Sequence, residues 1–499
     1  MEKNFSRSLE KGKDLLRRQR YEKASLCFEE LIRKQPASVE AHFEFGKTSL
    51  LLGERETALK EFRRAVQLDA GHFSARLFLA KIYRESGDPE KAFEEILIIR
   101  SNSAAGAEID EEFRHLLPRL AERVVRSNFE GNYNEAARLS ERLLDWIPDG
   151  EVFFRNKILN EWEIASRKTE LRSWMRSLMV TLTTDCNLSC IMCEQRGESW
   201  QLPRRTAEEI EGLFPYLERV MWQGGESFLS EHFDGLVKKA ASFTHLQQVI
   251  TTNGLLLDED RLDKLIGPKI DFTFSIDGVT KDTYEKIRRG GDFERLLKNL
   301  KLFNKLRKEK ASGQRAHMNV VVTGTNYGHL EDFVNFAIEY GFSLVAFLPL
   351  GGCLARPENI FLEPNQALLN RIRKALERVD EKAKKGGITI ENQLPVRPAS
   401  LSGKQGKRKE KASHNDFSPR LCHLPWLQLF IDYQGGIRPD CDCLPGFKAG
   451  NVEGDRLRDV WNNALMKNYR KAVAENSSGE ICNRDCIEGR ISGRYLRFG

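Results

Sequence analysis

Residues 177–193, SLMVTLTTDCNLSCIMC, join an apolar, β-rich run to a short loop that carries three cysteines. The spacing Cys186-x3-Cys190-x2-Cys193 places three thiols directly after a predicted strand. Tight cysteine groups in a large chain without an apolar leader are more typical of metal ligands than of disulfides. A structural zinc site and a four-iron cubane both usually take four ligands. The loop therefore predicts either a distant fourth ligand or an iron with one coordination position left open for a small molecule.

Five further β-rich runs follow the first, and stretches with helical periodicity separate them. We predict strands at 177–183, 219–223, 247–252, 271–276, 317–323 and 343–348. Alternation of strands and helices predicts parallel pairing through right-handed crossovers. The predicted class is α/β, in which six βα units close partly into a (β/α)6 barrel of parallel strands or lie as an open sheet.

Residues suited to binding or catalysis lie just after these strands. They are Gly224, Gly225 and Glu226 after the second strand, Asn253 and Gly254 after the third, Asp277 and Gly278 after the fourth, and Cys353 after the sixth. The carboxyl ends of parallel strands form the face where α/β folds place their chemistry. Turn geometry alone explains an Asn-Gly pair, but it does not explain three clustered cysteines. Cys353 is suggestively placed, although a lone cysteine is more often a buried thiol.

Several of these stretches resemble one known family. TDCNLSCIMC looks like the C-x3-C-x2-C cluster loop of the radical S-adenosylmethionine (radical SAM) superfamily. Trp222-Gln223-Gly224-Gly225-Glu226 resembles its GGE motif, and ITTNGLLL, FSIDG and TYEKIRRGG resemble the stretches that follow in the same order. The match spans about residues 175–350, and its ordered motifs make it specific.

The resemblance implies a [4Fe–4S] cluster on Cys186, Cys190 and Cys193, with S-adenosylmethionine (SAM) on its open iron; zinc is the alternative for the triplet. One electron into the cluster would split SAM into methionine and a 5′-deoxyadenosyl radical that abstracts hydrogen from a substrate. The resemblance also implies roles for individual residues. Glu226 would accept from the methionine ammonium with Gly224 and Gly225 beside it, Ser275 and Asp277 would contact SAM, and Arg288, or else Arg289, would hold the methionine carboxylate.

A second cysteine cluster closes the chain. It comprises Cys422, Cys441, Cys443, Cys482 and Cys486. The short hydrophobic run before Gly436 predicts a hairpin that turns Cys441 back towards Cys422. This segment, with its DVWNN stretch, resembles the SPASM/twitch extension of radical SAM enzymes, whose full form has seven cysteines and two auxiliary clusters. Five cysteines favour the twitch form with one auxiliary [4Fe–4S] cluster.

The ligands chosen for that cluster are Cys422, Cys441, Cys482 and Cys486. Cys443 is a substitute for Cys441 or an additional functional group. A zinc ribbon is the alternative, because cysteine spacing alone does not separate the two metals. His423 is a possible but unneeded ligand.

The first hundred residues repeat with a period of 34. Gly12, Gly46 and Ala80 share this spacing, as do Ala24, Ala58 and Ala92, and as do Phe28, Phe62 and Ile96. Gly53 and Gly87 mark one turn in successive units, and Gly131, Ala136 and Pro148 suggest a weaker fourth unit. The pattern resembles the tetratricopeptide repeat, whose stacked helices present a surface for a peptide or protein. A generic helical bundle is the alternative.

The resulting domain prediction has five parts: an all-α tetratricopeptide array at 1–150, a helical connector at 151–174, the barrel at 175–385, a basic polar linker at 386–420, and a small cysteine-rich domain at 421–499. The linker contains LSGKQGKRKEKASHND, in which no aromatic residue interleaves with the charges. A net charge of +6 on 499 residues gives no nucleic-acid footprint. No apolar run is long enough to span a membrane, so we expect a soluble, cytoplasmic protein with no nucleic-acid or membrane partner.

The expected function is hydrogen abstraction from a peptide or protein substrate, giving oxidative modification, with an external one-electron donor. The repeats would bind that substrate or recruit a partner. Dehydrogenation of a carbohydrate or another small molecule is the alternative within enzymes. A non-catalytic iron–sulfur scaffold or redox sensor is the alternative outside them.

Overall fold

The structure is a computed structural model. It describes residues 2–102, 106–193, 199–267, 269–350, 356–396, 421–440 and 447–475. The chain divides into two compact units, residues 1–127 and residues 128–499.

The first unit is built from helices. They are α1 (Glu2–Arg17), α2 (Tyr21–Lys34), α3 (Val39–Leu51), α4 (Arg55–Leu68), α5 (Phe73–Glu85), α6 (Pro89–Asn102) and α7 (Ala107–Glu130), of which α7 continues past residue 127. Successive helices pair as antiparallel hairpins, as the 34-residue period predicts. The predicted all-α repeat array is confirmed.

The repeat markers pack as the sequence predicts. Ala24, Ala58 and Ala92 and the large residues four positions later are all fully buried. A Cβ on Gly46 would lie 2.8 Å from a ring carbon of Phe62, and one on Gly12 would lie 2.5 Å from Phe28. The missing side chain therefore lets the two helices of a unit approach closely around the aromatic ring.

The predicted boundary at residue 150 differs from the compact unit, which ends at residue 127. The cause is a buried polar network in the second unit. The Asn128 side chain donates to Glu161 Oε2 at 2.6 Å, and Glu161 pairs with Arg176, the residue before the first strand. Arg176 also pairs with Glu218 Oε2 at 2.6 Å. These partly or fully buried charges tie the helices after residue 127 to the sheet.

The second unit contains one ten-stranded sheet. Its strands are β1 (Ser177–Thr181), β2 (Arg219–Gln223), β3 (Gln247–Thr252), β4 (Ile270–Ser275), β5 (Ala316–Val322), β6 (Leu344–Pro349), β7 (Thr389–Asn392), β8 (Gln428–Ile431), β9 (Gly436–Arg438) and β10 (Gly450–Asn451). Their order is β10-β9-β8-β1-β2-β3-β4-β5-β6-β7, with parallel pairs from β8 through β7. The predicted mostly parallel sheet is confirmed, with β7 and β10 as its edges in the described part of the chain.

Helices connect the strands. They are α8 (Tyr133–Leu144), α9 (Val152–Ala165), α10 (Arg204–Leu213), α11 (Phe233–Ala240), α12 (Glu259–Leu265), α13 (Lys281–Ile287), α14 (Phe293–Glu309), α15 (Leu330–Glu339), α16 (Gln366–Gly386), α17 (Leu424–Leu427), α18 (Leu457–Trp461) and α19 (Ala464–Ala474). Two of them that border the site begin with side-chain caps: Thr280 caps α13 and Asp292 caps α14. Among the described residues, no helix is both long and apolar enough to cross a membrane.

Two parts of the chain predicted to lie outside the barrel join its sheet. The predicted linker at 386–420 contains β7, which pairs in parallel with β6. Its four residues are exposed or half-buried, so they lack the apolar run that marks the other strands. The predicted cysteine-rich domain contributes β8, which pairs in parallel with β1 and extends the sheet on the other side. The hairpin predicted before Gly436 is present as the antiparallel pair of β8 and β9.

Candidate functional site

The cysteine loop follows β1 and is tied down by main-chain hydrogen bonds. The N–H of Ser189 donates to the carbonyl of Arg289 at 2.8 Å, and the N–H of Ile191 donates to the carbonyl of Ile287 at 2.9 Å. These two bonds fix the loop on either side of Arg288, at the end of α13. The chain segment that follows β4 is therefore held directly against the cysteines.

The three thiols differ in exposure. Cys190 is buried, Cys193 is half-buried and Cys186 is exposed at its surface. The pKa of Cys186 is raised to about 11, mainly by burial; Glu226 and the other two thiols contribute to the rise, and the hydrogen bond from the Leu188 N–H opposes it. Binding a metal would therefore release protons from this loop.

Within the described ranges, no three Cys, His, Asp or Glu side chains converge closely enough to share one metal ion. In a cubane each cysteine ligates its own iron, so its ligands need not meet at a single point. The donor set on this loop, three thiols from one short turn, fits a cluster better than it fits a single tetrahedral ion.

The two glycines after β2 lie under the start of the cysteine loop. Gly224 has a φ of +149°, a conformation that side chains rarely adopt. A Cβ on Gly225 would lie 2.5 Å from the carbonyl oxygen of Thr184, and closer still to that of Asp185. The N–H of Gly225 donates to the Thr183 carbonyl at 2.7 Å. Only a chain without side chains at these positions can pass so close to the loop.

Glu226 is 1% exposed, and its carboxylate is held by the end of β3. Oε1 accepts from the Thr252 hydroxyl at 2.8 Å, and Oε2 accepts from the Asn253 N–H at 2.9 Å. Burial raises the pKa of Glu226, although these hydrogen bonds oppose the shift. The Asn253 side chain also donates to Asn187 Oδ1 in the cysteine loop at 2.8 Å. Glu226 is thus oriented by the end of β3, and it lies close enough to Cys186 for its charge to raise the pKa of that thiol.

Asp277 and Arg288 form a buried ion pair beside the cysteine loop. Arg288 Nη2 lies 2.6 Å from Asp277 Oδ2, and Arg288 Nη1 donates to Cys190 Sγ at 3.9 Å. Asp277 is fully buried and Arg288 is 7% exposed. Tyr284 packs here as well, fully buried, and its hydroxyl and Arg288 Nε have no hydrogen-bond partner among the described residues.

The remaining predicted SAM contacts are less constrained. Ser275 ends β4 and is half-buried, while the Arg289 side chain is exposed. Cys422 is half-buried and directly precedes the turn into α17. Cys353, Cys441, Cys443, Cys482 and Cys486 lie outside the described residues.

The structure adds three residues that the sequence interpretation did not single out. They are Thr252, which donates to Glu226, Tyr284 beside Cys190, and Asn326, whose side chain donates to the Asp277 carbonyl at 2.9 Å. Asn253 was singled out for its place after the third strand, and the structure adds its hydrogen bond to Glu226. The polar TTN stretch at the end of β3 was a usable signal. Tyr284 carried none, because its spacing is that of an ordinary helix-core residue.

These residues fit an iron–sulfur cluster with a zwitterionic ligand. The loop offers thiols as metal donors, Glu226 offers a buried carboxylate to an ammonium, and the free Arg288 Nε and Tyr284 hydroxyl are donors without a partner in the described chain. Such unpartnered buried donors are costly unless a ligand meets them.

Three family models match the chain in order. Residues 9–72 and 50–105 match the tetratricopeptide repeat, residues 180–337 match the radical SAM superfamily, and residues 422–487 match the iron–sulfur cluster-binding domain called SPASM. The order is the one that the sequence motifs predict.

Two similar curated proteins are named GTP 3′,8-cyclase. The one from Petrotoga mobilis is 24% identical over 306 residues, covering 58% of this chain and 89% of that protein. The one from Alkaliphilus metalliredigens is 27% identical over 208 residues, covering 39% of this chain and 63% of that protein.

Two similar solved structures are peptide complexes. Streptococcus suis SuiB bound to its precursor peptide SuiA has a TM-score of 0.49 and 16% identity, covering 82% of this chain and 83% of that one. The enzyme anSMEcpe, with bound AdoMet and the Cp18Cys peptide, has a TM-score of 0.43 and 16% identity, covering 64% of this chain and 95% of that one.

Proposed function

We propose that this chain, a radical SAM enzyme with an amino-terminal tetratricopeptide array and a carboxy-terminal SPASM segment, abstracts hydrogen from a peptide or protein substrate and so modifies it oxidatively. The observation that carries the proposal is the assembly at the carboxyl ends of β1 to β4. There the cysteine loop, Glu226 and Arg288 are fixed against one another by main-chain hydrogen bonds and buried charges.

Each residue of this assembly has a physical task. Cys186, Cys190 and Cys193 would ligate the [4Fe–4S] cluster, and the glycine pair leaves room for the chain to pass beneath it. Glu226, already oriented by Thr252 and Asn253, would accept from the methionine ammonium of SAM. When bound, the cluster and SAM would supply a 5′-deoxyadenosyl radical for hydrogen abstraction.

The peptide substrate class is the finer part of the proposal, and the repeat array supports it. Stacked helical hairpins expose an extended surface suited to a peptide or protein, whereas a small-molecule enzyme has no need of one for catalysis. The array would bind the substrate or dock a partner. A small-molecule substrate is the second candidate, because the relatives named GTP 3′,8-cyclase include one aligned over 89% of its length.

Iron content and SAM cleavage test the cluster assignment. The chain, reconstituted anaerobically, should hold about eight irons if it carries two cubanes, and about four in the Cys186, Cys190 and Cys193 triple alanine variant. Reduction in the presence of SAM should release 5′-deoxyadenosine from the parent chain only. Zinc in the remaining site would end the auxiliary iron–sulfur proposal, and iron absent from the triplet would end the radical SAM proposal.

A matched pair of carboxylate variants tests the SAM site. Glu226→Ala should abolish 5′-deoxyadenosine release while keeping the cluster, because it removes the ammonium acceptor. Glu231→Ala, which alters an exposed side chain on the next turn, is the control. SAM cleavage at the parent rate in Glu226→Ala contradicts the assignment.

Substrate class is tested by competition between candidates. Peptides encoded beside this gene and GTP would each be incubated with the reduced enzyme and SAM. A peptide that loses hydrogen, seen by mass spectrometry, supports the proposal. Consumption of GTP with no change in any peptide supports the second candidate instead.

A further inference from the structure

Arg288 is held in place by groups from several elements. Its pair with Asp277 Oδ2 is 2.6 Å long, and its Nη1 points at Cys190 Sγ at 3.9 Å. The main-chain N–H of Arg288 donates to the carbonyl oxygen of Tyr284 at 2.7 Å, at the end of α13. The two main-chain bonds from the cysteine loop reach the residues before and after it. A guanidinium constrained in this way has few alternative positions.

Asp277 is fixed just as firmly. Its Oδ1 accepts from the Val321 N–H at 2.7 Å, and its carbonyl accepts from the Asn326 side chain at 2.9 Å. The carboxylate is fully buried and therefore has no water to move into. Breaking a buried ion pair by moving one partner away is strongly unfavourable, so Arg288 stays where Asp277 holds it.

The charge of Arg288 is also secure. An arginine guanidinium stays protonated in proteins. Both terminal nitrogens of the fork already have partners, and a bidentate grip of a carboxylate uses two nitrogens of the fork. Only Nε has no partner among the described residues, so such a grip on the methionine carboxylate would require Arg288 to leave Asp277 or Cys190.

We propose that Arg288, positioned by Asp277, donates a charge-assisted hydrogen bond to the Cys190 sulfur in the cluster-loaded enzyme and raises the reduction potential of that cluster. This inference rests on the proposed function, because it takes Cys190 as a cluster ligand. Asp277 is the positioning residue, since it holds the guanidinium that contacts Cys190.

The direction of the effect follows from charge. Reduction of the bound cluster by an external low-potential donor would add one negative charge, part of which the thiolate ligands would carry. The hydrogen bond and the guanidinium charge then stabilise the reduced form more than the oxidised form. Hydrogen bonds to the sulfurs are among the groups that set iron–sulfur potentials. The Arg288–Asp277 pair would therefore make the cluster easier for the external donor to reduce.

The test compares reduction potentials without SAM. The double variant Asp277→Asn/Arg288→Met removes the donor and both charges together, so no buried carboxylate is left unpaired. Its cluster should be reduced with an equilibrium constant at least about tenfold smaller, which is 59 mV for one electron. Arg295→Met, which removes an exposed arginine on α14, is the matched control and should keep the parent potential. Titrations followed by electron paramagnetic resonance give both values.

The outcomes separate this inference from the proposed function. An unchanged potential in the double variant, with weaker SAM binding, overturns the inference and returns Arg288 to the methionine carboxylate. A parent chain that forms no cluster at the triplet overturns the proposed function instead.

A measurement on the parent sequence decides the case if the double variant loads no cluster. With arginine labelled by ¹⁵N, pulsed electron paramagnetic resonance of the reduced, SAM-free cluster should reveal a magnetic coupling between the arginine nitrogen and the electron spin of the cluster. The hydrogen bond to the Cys190 sulfur would transmit this coupling. An arginine coupling absent from that spectrum overturns the inference.

Discussion

Gly225→Ala probes the closest approach in the site. The added Cβ would lie 2.5 Å from the Thr184 carbonyl oxygen, whereas an ordinary contact begins at 3.4 Å. The loop and the end of β2 must therefore separate by at least about 0.9 Å, and by more at the Asp185 carbonyl oxygen, which the Cβ would approach more closely still. The atoms that the Cβ would meet belong to the main-chain carbonyl groups of Thr184 and Asp185, so no side chain can rotate away to relieve the clash.

The energetic cost follows from that separation. Overpacking a well-packed region costs about 1–3 kcal/mol. The movement also strains the Glu226 N–H bond to the Asp185 carbonyl, which is 2.8 Å long, and losing a hydrogen bond costs about 0.5–1.5 kcal/mol. We therefore expect Gly225→Ala to destabilise the sheet unit by about 2–4 kcal/mol and to weaken SAM binding by displacing Glu226.

Calorimetry and anaerobic SAM binding check this expectation. The unfolding transition of the sheet unit is the one whose midpoint temperature SAM should raise, because a ligand stabilises the state that binds it. Gly235→Ala, in α11, is the matched control, since nothing lies within 4 Å of its added Cβ. It should gain about 0.4–1 kcal/mol. If Gly225→Ala unfolds like the control and binds SAM normally, the close approach does not matter.

Three further predictions concern stability and are read by denaturant unfolding. Arg176→Met removes the cation that pairs with the buried Glu161 and with Glu218, of which Glu218 keeps Lys157, and should cost about 3–5 kcal/mol. Arg204→Met breaks only an exposed pair and should cost less than about 1 kcal/mol; equal losses would contradict this. Gly46→Ala should cost about 1–3 kcal/mol, and adding Phe62→Leu should recover part of it, because the clashing ring is gone. Burial lowers the pKa of His245, so protonation of this residue favours the unfolded chain. The free energy of unfolding should therefore fall as pH drops below about 6.5. His245→Phe should flatten that decline between about pH 7 and 5.5, and an unchanged dependence of stability on pH would refute the prediction.

The strands that were predicted correctly share one physical property. β2 and β3 have the predicted bounds, and the other four predicted strands start within one residue of the expectation. Each is a short apolar run because its interior position in the sheet buries at least one of its faces: β4 is buried almost throughout, whereas β2 and β5 alternate buried and half-buried residues. β7 is different: it is an edge strand with no buried residue, so periodicity could not reveal it.

The residues of the site were predictable where a motif fixes them by main-chain geometry. Gly225 is required by a close approach, and the cysteines are required by their chemistry, so both stand out in the sequence. The partner of Arg288 was not predictable, because an arginine near a carboxylate and a thiol can serve either group or a ligand. Its pairing with Asp277 depends on burial and on the fixed position of that carboxylate, and neither is written in the local sequence.

The pairing of β8 with β1 bears on how the two predicted clusters relate. The cysteine loop with Cys186 follows the carboxyl end of β1. β8 runs parallel to β1, with Gln428 opposite Ser177, and Cys422 precedes β8. β9 returns antiparallel, and the Gln428 side chain donates to Asp440, the residue before Cys441, at 2.6 Å.

Cys422 and Asp440 therefore lie towards the amino end of β1, and the SAM-site loop lies beyond its other end. Five residues of strand at about 3.3 Å each separate the two ends by about 16 Å. The pairing of β8 with β1 thus sets Cys422 and the cysteine triplet towards opposite ends of this strand pair, so we do not expect Cys422 to be the distant fourth ligand of the triplet.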